Sequence, residues 1–230
     1  MSLKIAKEYV DTHWHHADAT FIGGSHVASR AKSGSDVDIV IISDTIPHYY
    51  RESLLLEGCP LELFVYNQGA LQTVMVTETY AGVPFMSRLT AEGILYTDQE
   101  GIGSELLEQA RLILKKGPHP LSQLDISSRR YAITDTLVDF EDDRPAIETI
   151  YVLQQLLHDI QEFVCRTNGR WTGQGKWAGR ELAETDPLFC QTLEDALFHY
   201  QKTGQKEALI SCIDQQLNLY GGRLFHGYTE

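Results

Sequence analysis

The segment Asp36-Val37-Asp38-Ile39-Val40-Ile41-Ile42 constrains this chain more than any other stretch of its sequence. Its run of β-branched residues favours a strand over a helix. Alternation along that strand puts Asp36 and Asp38 on one face and Val37, Ile39 and Ile41 on the other. Two carboxylates therefore point the same way. A short strand at Ala19 to Ile22 precedes it, ending in Gly23, Gly24 and Ser25, and Pro60 opens another at Leu61 to Tyr66. In that third strand Leu61, Leu63 and Val65 alternate with Glu62, Phe64 and Tyr66, so Glu62 is a lone carboxylate in apolar company. If the two later strands are neighbours, three carboxylates converge.

Around these strands the first half alternates with helices. Leu3 to about His16 has Ile5, Tyr9, Val10 and His13 or Trp14 at helical spacing, and Tyr50 to Leu56 reads as a short helix. Gly69 to Glu78 and Ser104 to Lys116 are also helical, the latter stopping at Gly117 and Pro118. From Leu121 onward only helical periodicity remains. Helices are expected at Ile126 to Phe140, Arg144 to Arg166, Trp177 to Thr185, Pro187 to Thr203 and Lys206 to Leu219, with an exposed loop at Thr167 to Lys176. Ile147, Ile150, Tyr151, Leu153, Gln154, Leu157 and Ile160 form the expected buried stripe of the second of these helices. The fold class is thus an α/β (α+β) N-terminal domain with a mixed sheet, residues 1–117, followed by an all-α helical bundle, residues 118–230.

Charge narrows the class of partner. Lys and Arg number 19 against 32 Asp and Glu, a net charge of -13. Such a molecule repels nucleic acid and anionic lipid and attracts cations. Apolar runs as short as Ile39 to Ile42 cannot cross a membrane, and MSLKIAKEYVDTHWHH lacks the apolar core of a signal peptide. Cys59, Cys165, Cys190 and Cys212 are widely spaced, with no zinc pattern, so buried free thiols and a cytoplasmic location are expected.

Carboxylates held close together raise one another's pKa values unless divalent cations neutralise them. Hard oxygen ligands select magnesium or manganese, and magnesium favours a few carboxylates completed by substrate phosphate oxygens. The glycine-serine turn supplies the complement. Gly24 lets backbone approach a phosphate, and Ser25 offers a hydroxyl and an N–H where a short helix can open toward an anion.

A glycine-serine turn, ten residues, a strand with Asp-x-Asp and a carboxylate on a following strand together resemble the DNA polymerase beta superfamily of nucleotidyltransferases. Asp142-Asp143-Arg144, a long helix, Lys176-Trp177-Ala178, Asp186-Pro187, Ala196 and Tyr200 resemble the helical domain of the streptomycin/spectinomycin adenylyltransferases. This resemblance implies ATP as substrate and Mg2+ or Mn2+ held by Asp36, Asp38 and Glu62, with Glu62 the third metal ligand or the base that activates the acceptor hydroxyl. It implies nucleotide contacts at Gly24, Ser25 and Ser35, with Lys176 reaching the phosphates and Tyr200 against the nucleotide. The active site is then expected in the cleft between the domains. The implied acceptor is small, hydroxylated and cationic.

Bland readings compete at several positions. Lys176 also reads as a solvated lysine, Tyr200 as a bundle core residue, and the acids from Asp135 to Glu148 as a solvated helix junction or a patch for a cationic acceptor. His13 and His16, one helical turn apart, are thin evidence for a metal, and Arg30 and Lys32 are either surface residues or phosphate contacts. Two rival functions remain open: a protein-modifying nucleotidyltransferase, and a nucleotide-binding regulatory module without turnover.

Overall fold

The computed structural model describes residues 2–24 and 35–229. Strands β1 (Ala19–Gly23), β2 (Val37–Ile42), β3 (Tyr50–Leu56), β4 (Cys59–Tyr66) and β5 (Ile94–Asp98) form one sheet in the order β3-β4-β2-β1-β5. Only β2 and β4 run parallel, and the other neighbours are antiparallel, so the sheet is mixed. The β-branched run of β2 is central because both its faces are covered. Val37, Ile39 and Ile41 pack with Leu61, Leu63 and Val65 beneath α1 (Ser2–His13), through Ile5, Ala6 and Val10. Val40, Ile42, Phe21 and Phe64 face α2 (Gln68–Ala81), α3 (Phe85–Glu92) and α4 (Ile102–Lys116), which contribute Leu71, Met75, Met86, Leu106 and Ala110. Each fully buried side chain of this kind contributes about 1.5–3 kcal/mol.

The chain divides into two compact units, Met1–Gly117 and Pro118–Glu230. The second contains α5 (Gln123–Glu141), α6 (Ala146–Thr167), α7 (Lys176–Thr185), α8 (Pro187–Thr203) and α9 (Glu207–Asn218). Its core is built from Ile133, Leu137 and Phe140 of α5, Leu156, Ile160 and Phe163 of α6, and residues of each later helix. Local chemistry sets the helix starts. Ser122 and Asp125 form a reciprocal capping box on α5, and Asp186 accepts from the Phe189 amide with Pro187 in the first turn of α8. Among the described residues no helix is long and apolar enough to cross a membrane.

Three expectations fail. Tyr50 to Leu56 is an edge strand, because Glu57 and Gly58 both take positive φ (50° and 77°) and fold it back on β4 as a two-residue hairpin. On α6 the expected stripe is only partly buried, with Ile147, Ile150 and Tyr151 at 60%, 59% and 67% exposure. Helical spacing fixes which residues share a face, but of this stripe the bundle core takes in only Leu153, Leu157 and Ile160, and Gln154 is exposed as well. The segment before α7 is also not simply exposed. Trp171 and Thr172 are buried, and Thr172 exchanges hydrogen bonds with the buried Gln161 at 2.8 and 2.9 Å.

Candidate active site

The sheet itself assembles the site. Asp38 of β2 sits between Gly23 of β1 and Glu62 of β4 in register, and Asp36 lies one residue before the strand. Because β2 and β4 are parallel neighbours, Asp38 and Glu62 emerge side by side on the same face. One carboxylate oxygen from each of Asp36, Asp38 and Glu62 lies within 4.8 Å of the other two. Among the described residues this is the one group of three His, Cys, Asp or Glu side chains that could hold a metal ion. Three hard, anionic oxygen donors at this spacing suit magnesium or manganese, which retain waters and accept substrate oxygens.

Gly24 closes one wall. Its φ is 87°, and a Cβ built there would lie 2.6 Å from Oδ2 of Asp38 and 3.4 Å from the Asp36 carbonyl oxygen. Backbone therefore occupies the space a side chain would need, directly against the carboxylate. Behind it α3 supports β1, with the Leu89 side chain 3.5 Å from the position a Cβ on Gly23 would take. Glu78, only 8% exposed, anchors the start of α3 by accepting from the amides of Met86 and Ser87 and from the Ser87 hydroxyl. Burial raises the Glu78 carboxyl above the usual glutamate range despite these bonds.

The remaining sequence candidates fall elsewhere. Ser25, Arg30 and Lys32 lie outside the described residues, whereas Ser35 is half-buried immediately before Asp36. Lys176 is the exposed first residue of α7, and Tyr200 of α8 is half-buried edge-to-face on Phe140 at 5.4 Å; both belong to the second unit. Within the acidic stretch at the α5–α6 junction Arg144 pairs with Asp139 and Asp142, and Arg223 with Glu141. His13 stacks on Tyr9, one turn back on α1.

One residue was not foreseen. Arg51 of β3 donates to Oε2 of Glu62 at 2.6 Å, with its guanidinium 5.1 Å from the Phe64 ring centroid. Reading Tyr50 to Leu56 as a helix hid this neighbour. The available signal was the Glu57-Gly58 pair, which marks a hairpin.

A nucleotidyltransferase-like protein from Exiguobacterium sibiricum has a solved structure similar to this one, with a TM-score of 0.54 and 11% sequence identity over 93% of this chain and 75% of that chain. At this identity the likeness is one of fold: a mixed α/β sheet unit followed by helices. No protein-family model matches the chain, and no curated protein matches it significantly.

Proposed function

We propose that this chain is a metal-dependent adenylyltransferase, moving AMP from ATP to a hydroxyl of a small cationic acceptor and releasing pyrophosphate. The observation that carries the reading is the convergence of Asp36, Asp38 and Glu62 against the Gly24 backbone, on a sheet of nucleotidyltransferase-like form. The donor set fits a divalent cation. Asp36 and Asp38 would hold magnesium or manganese, with Glu62 as third ligand or as base, and Gly24, Ser25 and Ser35 would face the triphosphate. When bound, such an ion offsets charge on the triphosphate and lowers the pKa of a coordinated hydroxyl.

In the transfer the acceptor oxygen bonds to the α-phosphorus while the bond from that phosphorus to the pyrophosphate oxygen breaks. The hydroxyl proton leaves to a base, the role in which the resemblance casts Glu62. Lys176 is assigned the leaving pyrophosphate and Tyr200 the nucleotide on the same basis, since a lysine acts there as a point charge. Support for a cationic acceptor comes from the net charge of -13 rather than from the junction acids, of which Asp139, Glu141 and Asp142 already have arginine partners.

The test is incubation with α-labelled ATP, Mg2+ and a panel of aminocyclitols and other hydroxylated amines, alongside a cell lysate, for wild type and Asp38→Asn. Label on a small amine, abolished in the variant, is the expected result. Label on protein alone would move the activity to the protein-modifying class, and nucleotide binding without any labelled product would leave a regulatory module.

A further inference from the structure

We infer that Arg51 is a positioning residue for Glu62 and that its charge sets the affinity of the three-carboxylate cluster for its divalent cation. The inference rests on the metal-dependent reading above. In the β3–β4 ladder Arg51 stands opposite Phe64, which places Glu62 two residues away on the same face, a diagonal neighbour within reach of a long side chain. The guanidinium is fixed from two sides. It donates to Oε2 of Glu62 at 2.6 Å and lies over the Phe64 ring at 5.1 Å from the centroid.

A role in stability is a poor account of this pair. The Arg51 side chain is 58% exposed and that of Glu62 22%, and ion pairs so close to solvent contribute little to folding. The consequence for the site is larger. Of the oxygens that Glu62 could turn toward Asp36 and Asp38, one is already engaged by Arg51, so the side chain is held in one orientation and offers its remaining lone pairs to a cation. The guanidinium also cancels one of the three negative charges of the cluster. Arg51 therefore weakens cation binding while holding Glu62 where transfer needs it.

These two effects have opposite signs, which separates the inference from a structural role. Arg51→Gln in the full chain removes the charge and the fork, and is expected to bind Mn2+ alone roughly threefold to tenfold tighter. Its kcat is expected to fall by about tenfold, from loss of Glu62 orientation, with the KM for ATP nearly unchanged. Arg51→Lys keeps the charge without the fork, so Mn2+ affinity stays near wild type and kcat lies between the two. Mn2+ titration by calorimetry and α-labelled ATP turnover are the measurements, with Asp38→Asn as the reference for loss of the site. Mn2+ affinity that is unchanged or weaker in Arg51→Gln, while wild type binds and Asp38→Asn does not, overturns the role of Arg51 and leaves the transfer reading standing. Equal Mn2+ binding by wild type and Asp38→Asn removes both.

Discussion

Gly24 shows how little room the site leaves for change. A methyl group there would meet Oδ2 of Asp38 at 2.6 Å from a backbone with φ of 87°. Left-handed backbone costs a non-glycine residue about 1–2 kcal/mol, and the clash must in addition move either the turn or the carboxylate. Gly24→Ala is expected to lose about 1–2 kcal/mol in urea melts and to bind Mn2+ on the order of tenfold more weakly. Wild-type Mn2+ affinity in this variant would show that the close approach has no bearing on the cluster. Glu78 supports the same corner from below. Its folded pKa lies above the ordinary 4.5, chiefly through burial, so the folded chain holds that proton to a higher pH than the unfolded chain. The resulting stabilisation is complete below the unfolded value and is lost as pH rises through the folded one. Glu78→Gln cannot ionise. The stability advantage of wild type over this variant is therefore expected to narrow as pH rises from the ordinary 4.5 through the raised folded value in denaturant melts, and a widening gap would mean that the three N–H and O–H bonds outweigh burial. Of these residues Asp36, Asp38 and Glu62 were legible as a group in the sequence, because strand alternation fixes which side chains share a face, whereas Gly24 was expected to approach a phosphate and its close approach to Asp38 was not foreseen. The partners of Glu78 and Arg51 were not legible either: Glu78 meets the start of α3 through packing that no local pattern announces, and Arg51 was hidden when its strand was read as a helix despite the Glu57-Gly58 turn.

At the level of elements, legibility followed length and burial. The helix α8 runs over its expected span, Pro187–Thr203, because proline starts it and Gly204 in the left-handed region ends it. The eight-residue α3 and the half-exposed β5 left no readable periodicity, although together they flank the β1 end of the sheet. The edge strand β3 failed for a different reason: Arg51, Glu52 and Ser53 precede Leu54-Leu55-Leu56, so no alternation survives, and only the turn announces the hairpin. That turn is imperfect. Glu57 holds φ at 50°, a conformation that asparagine adopts more readily. Glu57→Asn is expected to raise stability by a few tenths up to about 1 kcal/mol, read as a higher melting temperature, and a lower one would argue that the Glu57 side chain contributes elsewhere. The segment before α7 owes its order to Thr172 and Gln161, a buried pair whose amide also donates to Sγ of Cys165. Thr172→Val leaves Gln161 without that partner, and a loss of about 1–3 kcal/mol is expected in equilibrium unfolding. A change near zero would place a water where the hydroxyl was.

At the scale of the whole molecule, each of the two units has an apolar core of its own among the described residues. Both cores of the first, one under α1 and one under α2, α3 and α4, draw only on residues before Gly117, and the core of the second draws only on residues after Pro118. Several polar ties also lie within the second unit: the buried Arg166 donates to the His119 carbonyl, Arg130 to that of Gly222, and Arg223 to Asp214 and Glu141. A chain cut between Gly117 and Pro118 is therefore expected to yield two fragments, each with a cooperative thermal transition. The division of chemistry is unequal. Asp36, Asp38, Glu62, Gly24 and Arg51 all lie in the first fragment, whereas the residues proposed for the leaving pyrophosphate and the nucleotide, Lys176 and Tyr200, lie in the second. Residues 1–117 should then bind Mn2+ within about threefold of the full chain, a difference of less than 1 kcal/mol, yet transfer no label from ATP. Residues 118–230 should bind none. Transfer by the first fragment alone would remove Lys176 and Tyr200 from the proposed mechanism, and loss of Mn2+ binding from a folded first fragment would mean that the cluster depends on the helical unit for its shape.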